Sequence, residues 1–156
     1  MGFTGHLLME NCNWLIVDAR LTLGSETVEP EGALDMLEEL PAGGYKTASA
    51  DNNYGTAAFV ATARALEVTP HVAPNITAHR GFNIDGRTTR HDGYRLSQII
   101  RKRIEEANGW IKEVGGMAQT KFGGLPRVGW MFTLKGAAYN LIPLPRLLAT
   151  GSVCPD

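Results

Sequence analysis

Hydrophobic spacings of period two and period 3.6 alternate along the first 72 residues, and this alternation limits the chain to folds that layer helices on strands. His6-Leu7-Leu8-Met9 and the stretch from Trp14 to Leu23 read as two strands. The turn-prone Glu10-Asn11-Cys12-Asn13 between them makes a hairpin the expected arrangement. Pro30 then stands where a first helical turn tolerates proline, and Ala33, Leu34, Leu37 and Leu40 recur at helical spacing before Pro41 and Gly43-Gly44 end the run. Tyr45 to Ala50 reads as a strand that delivers Asp51 into the polar cluster Asn52-Asn53. Thr56 can cap a helix running to about Leu66, with Phe59, Val60, Ala63 and Leu66 inward. Val68 to Val72 is strand-like despite Pro70. The order β-β-α-β-α-β places the chain in the α/β class.

Residues 73–92 hold Pro74, Gly81, Gly86 and scattered arginines and histidines without periodicity, which predicts an exposed basic loop. Tyr94 to Val114 is the strongest helix in the sequence, stopped by Gly115-Gly116. On it Leu96, Ile100, Ile104, Ala107, Ile111 and Val114 fall within about 40° of one direction and form the expected core stripe. Residues 125–148 read as a C-terminal apolar helix. Trp130, Leu134, Ala137 and Leu141 lie at helical spacing there, before Pro143 and Pro145.

A length of 156 residues with 44% hydrophobic content can bury one core, so a single domain over 1–156 is expected. No apolar run of about 18 residues occurs, and the start lacks a secretion signal. A cytoplasmic protein without membrane contact is the expectation. Cys12 and Cys154 carry no pairing or metal motif and read as free thiols. The net charge of −1 conceals an asymmetry. Residues 1–60 carry 2 Lys/Arg against 9 Asp/Glu, net −7, and residues 61–156 carry 13 against 7, net +6. The second half could therefore face an anionic partner.

Beside the apolar stripe of the 94–114 helix, Arg101, Glu105 and Lys112 share one line, so a carboxylate is flanked by two cations. Such a row is also what ordinary i, i+4 surface pairing produces, at about 0.2–0.5 kcal/mol per pair. The spacing Arg101-x3-Glu105-x6-Lys112 resembles the R-x3-E-x6-K signature around the third acidic residue of DDE-type insertion-sequence transposases. Ile104-Glu105-Glu106-Ala107-Asn108-Gly109-Trp110-Ile111-Lys112 is similar to the family's I-E-x-x-F-G-W-[LI]-K. Gly5-His6-Leu7-Leu8-Met9-Glu10-Asn11, Ala50-Asp51 with Tyr54, Thr69-Pro70-His71-Val72-Ala73 and Ile84-Asp85-Gly86-Arg87-Thr88-Thr89-Arg90 resemble one subgroup of it. The resemblance covers nearly the whole chain.

It implies a partial RNase H-like fold, a mixed sheet with flanking helices, from which the opening strand is missing. It further implies Asp51 and Glu105 as the second and third catalytic carboxylates and as ligands of Mg²⁺ or Mn²⁺. Arg101 and Lys112 would orient Glu105 or contact DNA phosphate. The activity implied is metal-dependent phosphodiester cleavage and strand transfer. The partners implied are the DNA of transposon ends and a second copy or an intact transposase, with a nucleoid location when DNA is bound.

Several features depart from the family. The strand bearing the first aspartate normally lies upstream of the segment resembling Gly5-His6-Leu7-Leu8, and Asp18 stands on what should be a later strand. Where relatives have A-D-K-G-Y-D-T, this chain has Ala50-Asp51-Asn52-Asn53-Tyr54-Gly55-Thr56. Met117 to Gly123 replaces an arginine-rich segment. The expectation is a C-terminal catalytic-domain fragment that is inactive alone; the alternative is a noncatalytic remnant that binds DNA or a transposase. The histidines lack metal-ligand spacing and read as surface or structural.

Overall fold

The computed structural model describes residues 2–24, 28–74 and 84–151. In chain order the elements are β1 (Phe3–Met9), β2 (Ile16–Leu23), α1 (Val28–Glu38), β3 (Lys46–Ala50), α2 (Ala57–Ala65), β4 (Val68–Val72), α3 (Gly86–Thr89), α4 (Asp92–Ile100), α5 (Arg103–Glu113), α6 (Leu125–Asn140) and α7 (Leu144–Thr150). A 3-10 turn at Asn52–Tyr54 precedes α2. The chain is mixed α/β, with two two-stranded sheets, β1–β2 and β3–β4. Its contacts gather into two compact units, Met1–Gly32 with Arg103–Asp156, and Ala33–Lys102.

In the first unit β1 and β2 pair antiparallel from Phe3↔Leu23 to Leu8↔Asp18, with an irregularity between Leu8 and Met9. The connecting turn is pinned by one acid. The Glu10 carboxylate accepts the backbone N–H groups of Cys12 at 2.7 Å, Asn13 at 2.8 Å and Leu15 at 3.2 Å. Cys12 is disulfide-bonded, not the free thiol expected. Two cysteines far apart in sequence carry no spacing signal for or against pairing, and Cys154, the only other one, lies outside the described residues.

The core of this unit is Leu7, Ile16, Ala107, Ile111 and Phe132, ringed by Met9, Ala19, Leu21, Ile104, Trp110 and Tyr139. Helix α6 also finishes the edge of β2, where unpaired backbone groups would otherwise stand. Asn140 accepts the Ile16 N–H and donates to the Ile16 carbonyl, both at 2.8 Å. Thr133 donates to the Ala19 carbonyl at 3.1 Å. On the same sheet His6 is buried, with Nε2 2.7 Å from Thr22 Oγ1. A Cβ at Gly32 would stand 3.1 Å from the His6 ring, so the start of α1 needs glycine to approach it.

In the second unit β3 and β4 pair parallel from Lys46↔Val68 to Ala50↔Val72. Four of the five β4 residues are buried, as a strand covered by helices requires. Phe59, Val60 and Ala63 of α2 are buried, and Thr56 Oγ1 accepts the Phe59 N–H at 3.2 Å as the N-cap.

Three further details differ from the sequence expectations. The 94–114 helix is interrupted at Arg101 and Lys102. No glycine or proline lies between Tyr94 and Asn108. The break falls at the boundary between the two units, so α4 takes its phase from β4 and α5 from the hairpin, and packing overrides local propensity. Its stripe is accordingly split: Ala107 and Ile111 are buried, Leu96 and Val114 are exposed, and Tyr94 and Ser97 form the buried face of α4. Within the expected 73–92 loop, Ala73 and Ile84 are buried and Asp85 caps the short helix α3. Residues 75–83 of that stretch lie outside the described residues. Finally, the 125–148 segment is two helices separated at residues 141–143, next to Pro143. No helix among the described residues is long and apolar enough to cross a membrane.

Candidate functional site

Asp51 follows the last residue of β3, at the carboxyl end of the parallel pair. Its backbone is extended, and its Oδ1 accepts the Asn52 N–H at 2.7 Å, which starts the 3-10 turn. The side chain is 59% exposed, because the turn lifts it away from the core. Arg101, the residue that ends α4, places Nη1 3.5 Å from Asp51 Oδ1. With the carboxylate this open to solvent, the pair adds at most about 1 kcal/mol to stability. The stem of Arg101 is more enclosed, and its Nε is buried with no hydrogen-bond partner among the described residues. A buried guanidinium donor left unpaired is costly, so an anion reaching it would gain a charge-assisted hydrogen bond.

What aims Arg101 at Asp51 is a buried polar network between α4 and β4. Tyr94 Oη donates to the Val72 carbonyl at 2.8 Å, and Gln98 Nε2 donates to the His71 carbonyl at 2.7 Å. His71 Nδ1 lies 2.8 Å from Ser97 Oγ, and the His71 ring meets Tyr94 edge-on at 5.5 Å. Burial lowers the His71 pKa from its ordinary value, and the charge of His91 lowers it further. Burial raises the Tyr94 pKa, against the opposing effect of Arg101. Nothing in the spacing of Tyr94, Ser97 and Gln98 announced this network. A polar residue at every third or fourth position is also what a solvent-facing helix shows.

Glu105 sits exposed in the first turn of α5, and Lys112 sits exposed in its last turn. Both belong to the first unit, whereas Asp51 and Arg101 belong to the second. Of the four residues expected at the site, the structure brings Asp51 and Arg101 together as an ion pair. Near Glu105, Arg103 makes a forked pair with Glu106 at 3.0 and 3.1 Å and lies 5.1 Å from the centre of the Trp14 ring. Asp18 is engaged by Arg20 at 2.8 Å on β2.

The carboxylates of Asp51 and Glu105 are hard oxygen donors, the type that Mg²⁺ and Mn²⁺ prefer. The chemistry of the donors fits such a cation. No group of three or more His, Cys, Asp or Glu side chains arranged to hold a metal occurs among the described residues. In comparisons with known proteins, no family model, curated protein or solved structure matches the chain.

Proposed function

We propose that the chain is part of a DDE-type transposase catalytic domain of RNase H-like fold, which processes DNA at transposon ends in the cytoplasm, and that this polypeptide does not turn over alone. The observation that carries the reading is the position of Asp51 at the carboxyl end of β3, beside the guanidinium of Arg101 at 3.5 Å. That edge of an open α/β sheet is where functional groups collect. Divalent ions with Asp51 as one oxygen ligand would supply activation of water or a 3′-hydroxyl and stabilise the leaving oxygen; the resemblance assigns the same kind of role to Glu105. Arg101 orients Asp51 through Oδ1 and adds positive charge beside it. Lys112, exposed on α5, is a second cation for the DNA backbone. Two carboxylates fall short of the three that the chemistry uses in this family, and this is the reason for expecting no turnover.

The test has two arms. Binding of a labelled DNA duplex should weaken with salt, and Arg101→Ala or Lys112→Ala should each reduce the slope of log K against log salt by about one. Nicking of supercoiled plasmid with Mg²⁺ or Mn²⁺ should not exceed that of Asp51→Asn and Glu105→Gln. Nicking lost in both variants would show that two carboxylates suffice and would overturn the predicted inactivity. Salt-insensitive binding, or none, would overturn the DNA reading itself.

A further inference from the structure

The two strands of the hairpin are finished differently at their outer sides. The Gly24 N–H reaches the Gly2 carbonyl at 2.9 Å, and the register runs on from Phe3↔Leu23. Facing residues of an antiparallel pair alternate between exchanging hydrogen bonds and turning their backbone groups outward. Gly2, Thr4, His6 and Leu8 therefore bond to β2, and Phe3, Gly5 and Leu7 point their N–H and carbonyl groups to the other side. On β2 the same alternation sends Ala19 outward, and its carbonyl indeed accepts the Thr133 hydroxyl of α6. That edge is closed. No hydrogen bond among the described residues reaches the outward groups of Phe3, Gly5 or Leu7 on β1.

Nothing in β1 discourages a further strand. Sheet edges are ordinarily blunted by charges, prolines or bulges, and Phe3-Thr4-Gly5-His6-Leu7 carries no Lys, Arg, Asp, Glu or Pro. The irregularity of the strand comes after them, between Leu8 and Met9. Gly5, at the middle, is exposed and has no side chain to stand in the way. The outward residues also select the partner, because they are evenly disposed about Gly5. A second β1 laid antiparallel across a two-fold axis at Gly5 sets Phe3 against Leu7, Gly5 against Gly5 and Leu7 against Phe3. Every outward donor then meets an outward acceptor, so the edge is complementary to itself, as an isologous contact requires. The side chains agree with this. Residues 3, 5 and 7 share one face of the strand, and Leu7 on that face belongs to the core with Phe132. The half-buried Phe3 would cover Leu7 of the second copy, an apolar cross-strand pair.

We propose that the outer edge of β1 is a docking edge for β1 of a second copy, joining two hairpins into one antiparallel sheet. This rests on the first unit alone and is independent of the DNA reading. The experiment follows the full chain by sedimentation velocity and amide hydrogen exchange from about 1 µM to about 1 mM. A monomer should give way to a dimer. Over the same range the Phe3 and Gly5 amides should gain at least about tenfold protection, whereas Thr4 and His6 should be protected at every concentration. Phe3→Pro removes an N–H that β2 does not use and should weaken the dimer at least about tenfold. Phe3→Lys leaves the backbone groups in place, puts a charge on the edge and should weaken the dimer as well. Protected Thr4 and His6 amides in either variant show that its hairpin is intact. A monomer at every concentration would overturn the proposal, as would Phe3 and Gly5 amides whose exchange ignores concentration. So would a dimer that survives both variants, or one that Leu134→Glu, on the exposed side of α6, dissolves.

Discussion

The hairpin β1–β2 and the parallel pair β3–β4 each contain two strands, but they are held by different parts of the chain. The hairpin depends on α5 and α6, whose contacts with it span most of the sequence, as Asn140 on Ile16 illustrates. The parallel pair depends on α2, which lies between its own strands in sequence, and on α4, which soon follows. The second arrangement is local, and the first must wait until α5 and α6 are in place. Local contacts repay the entropy of loop closure early, and distant ones repay it late. The two units should therefore differ in what destabilises them.

The sharpest way to separate them is Phe132→Ala. Phe132 is buried against the hairpin, and removing such a ring costs about 3–5 kcal/mol. Hydrogen exchange should speed up at the β1 and β2 amides and stay unchanged at β3 and β4. Equal acceleration in both sheets would mean that the units unfold as one. Tyr94→Phe is the converse probe, because it strips the Val72 carbonyl of its buried donor at a cost of about 1–3 kcal/mol. Its effect should appear in β4 and spare the hairpin.

The smallest expected effect is that of acid on His71. Its pKa is lowered by burial from 6.5. Below pH 6.5 the unfolded chain binds the proton more readily than the folded one, so this contribution is complete above that pH and is lost as pH falls through the folded value. The protection of the β4 amides, measured against the intrinsic exchange rate at each pH, should fall over that range in the native chain, and His71→Asn should flatten the fall. A slope that persists in the variant would assign it to another group, such as the buried His6, whose pKa is lowered in the same direction, chiefly by burial.

Where spacing reports a single packed face, the sequence was readable. The hairpin, the β3–α2–β4 unit and the Thr56 cap all announce themselves through alternation, β-type residues and a capping hydroxyl. The interruption after α4 was not readable, because its cause is packing against two units and no residue there breaks a helix. The orientation of α6 was hidden for a different reason. Val128, Phe132 and Gly136 on one side and Trp130, Leu134 and Ala137 on the other are both apolar, so periodicity alone had two answers. Of the candidate site, Asp51 at the end of a strand was legible. Its pairing with Arg101 was not, since Arg101 was expected to serve Glu105 or DNA.

Gly5 lies so close beneath Phe132 that a Cβ there would stand 2.6 Å from the ring. Real Cβ atoms essentially never come that near. Any mutation that gives position 5 a side chain therefore collides with a residue far away in the sequence. It can be accommodated only if the ring shrinks or α6 shifts. Strand and helix thus form one heritable lock, in which an innovation on either side needs its counterpart before it can spread.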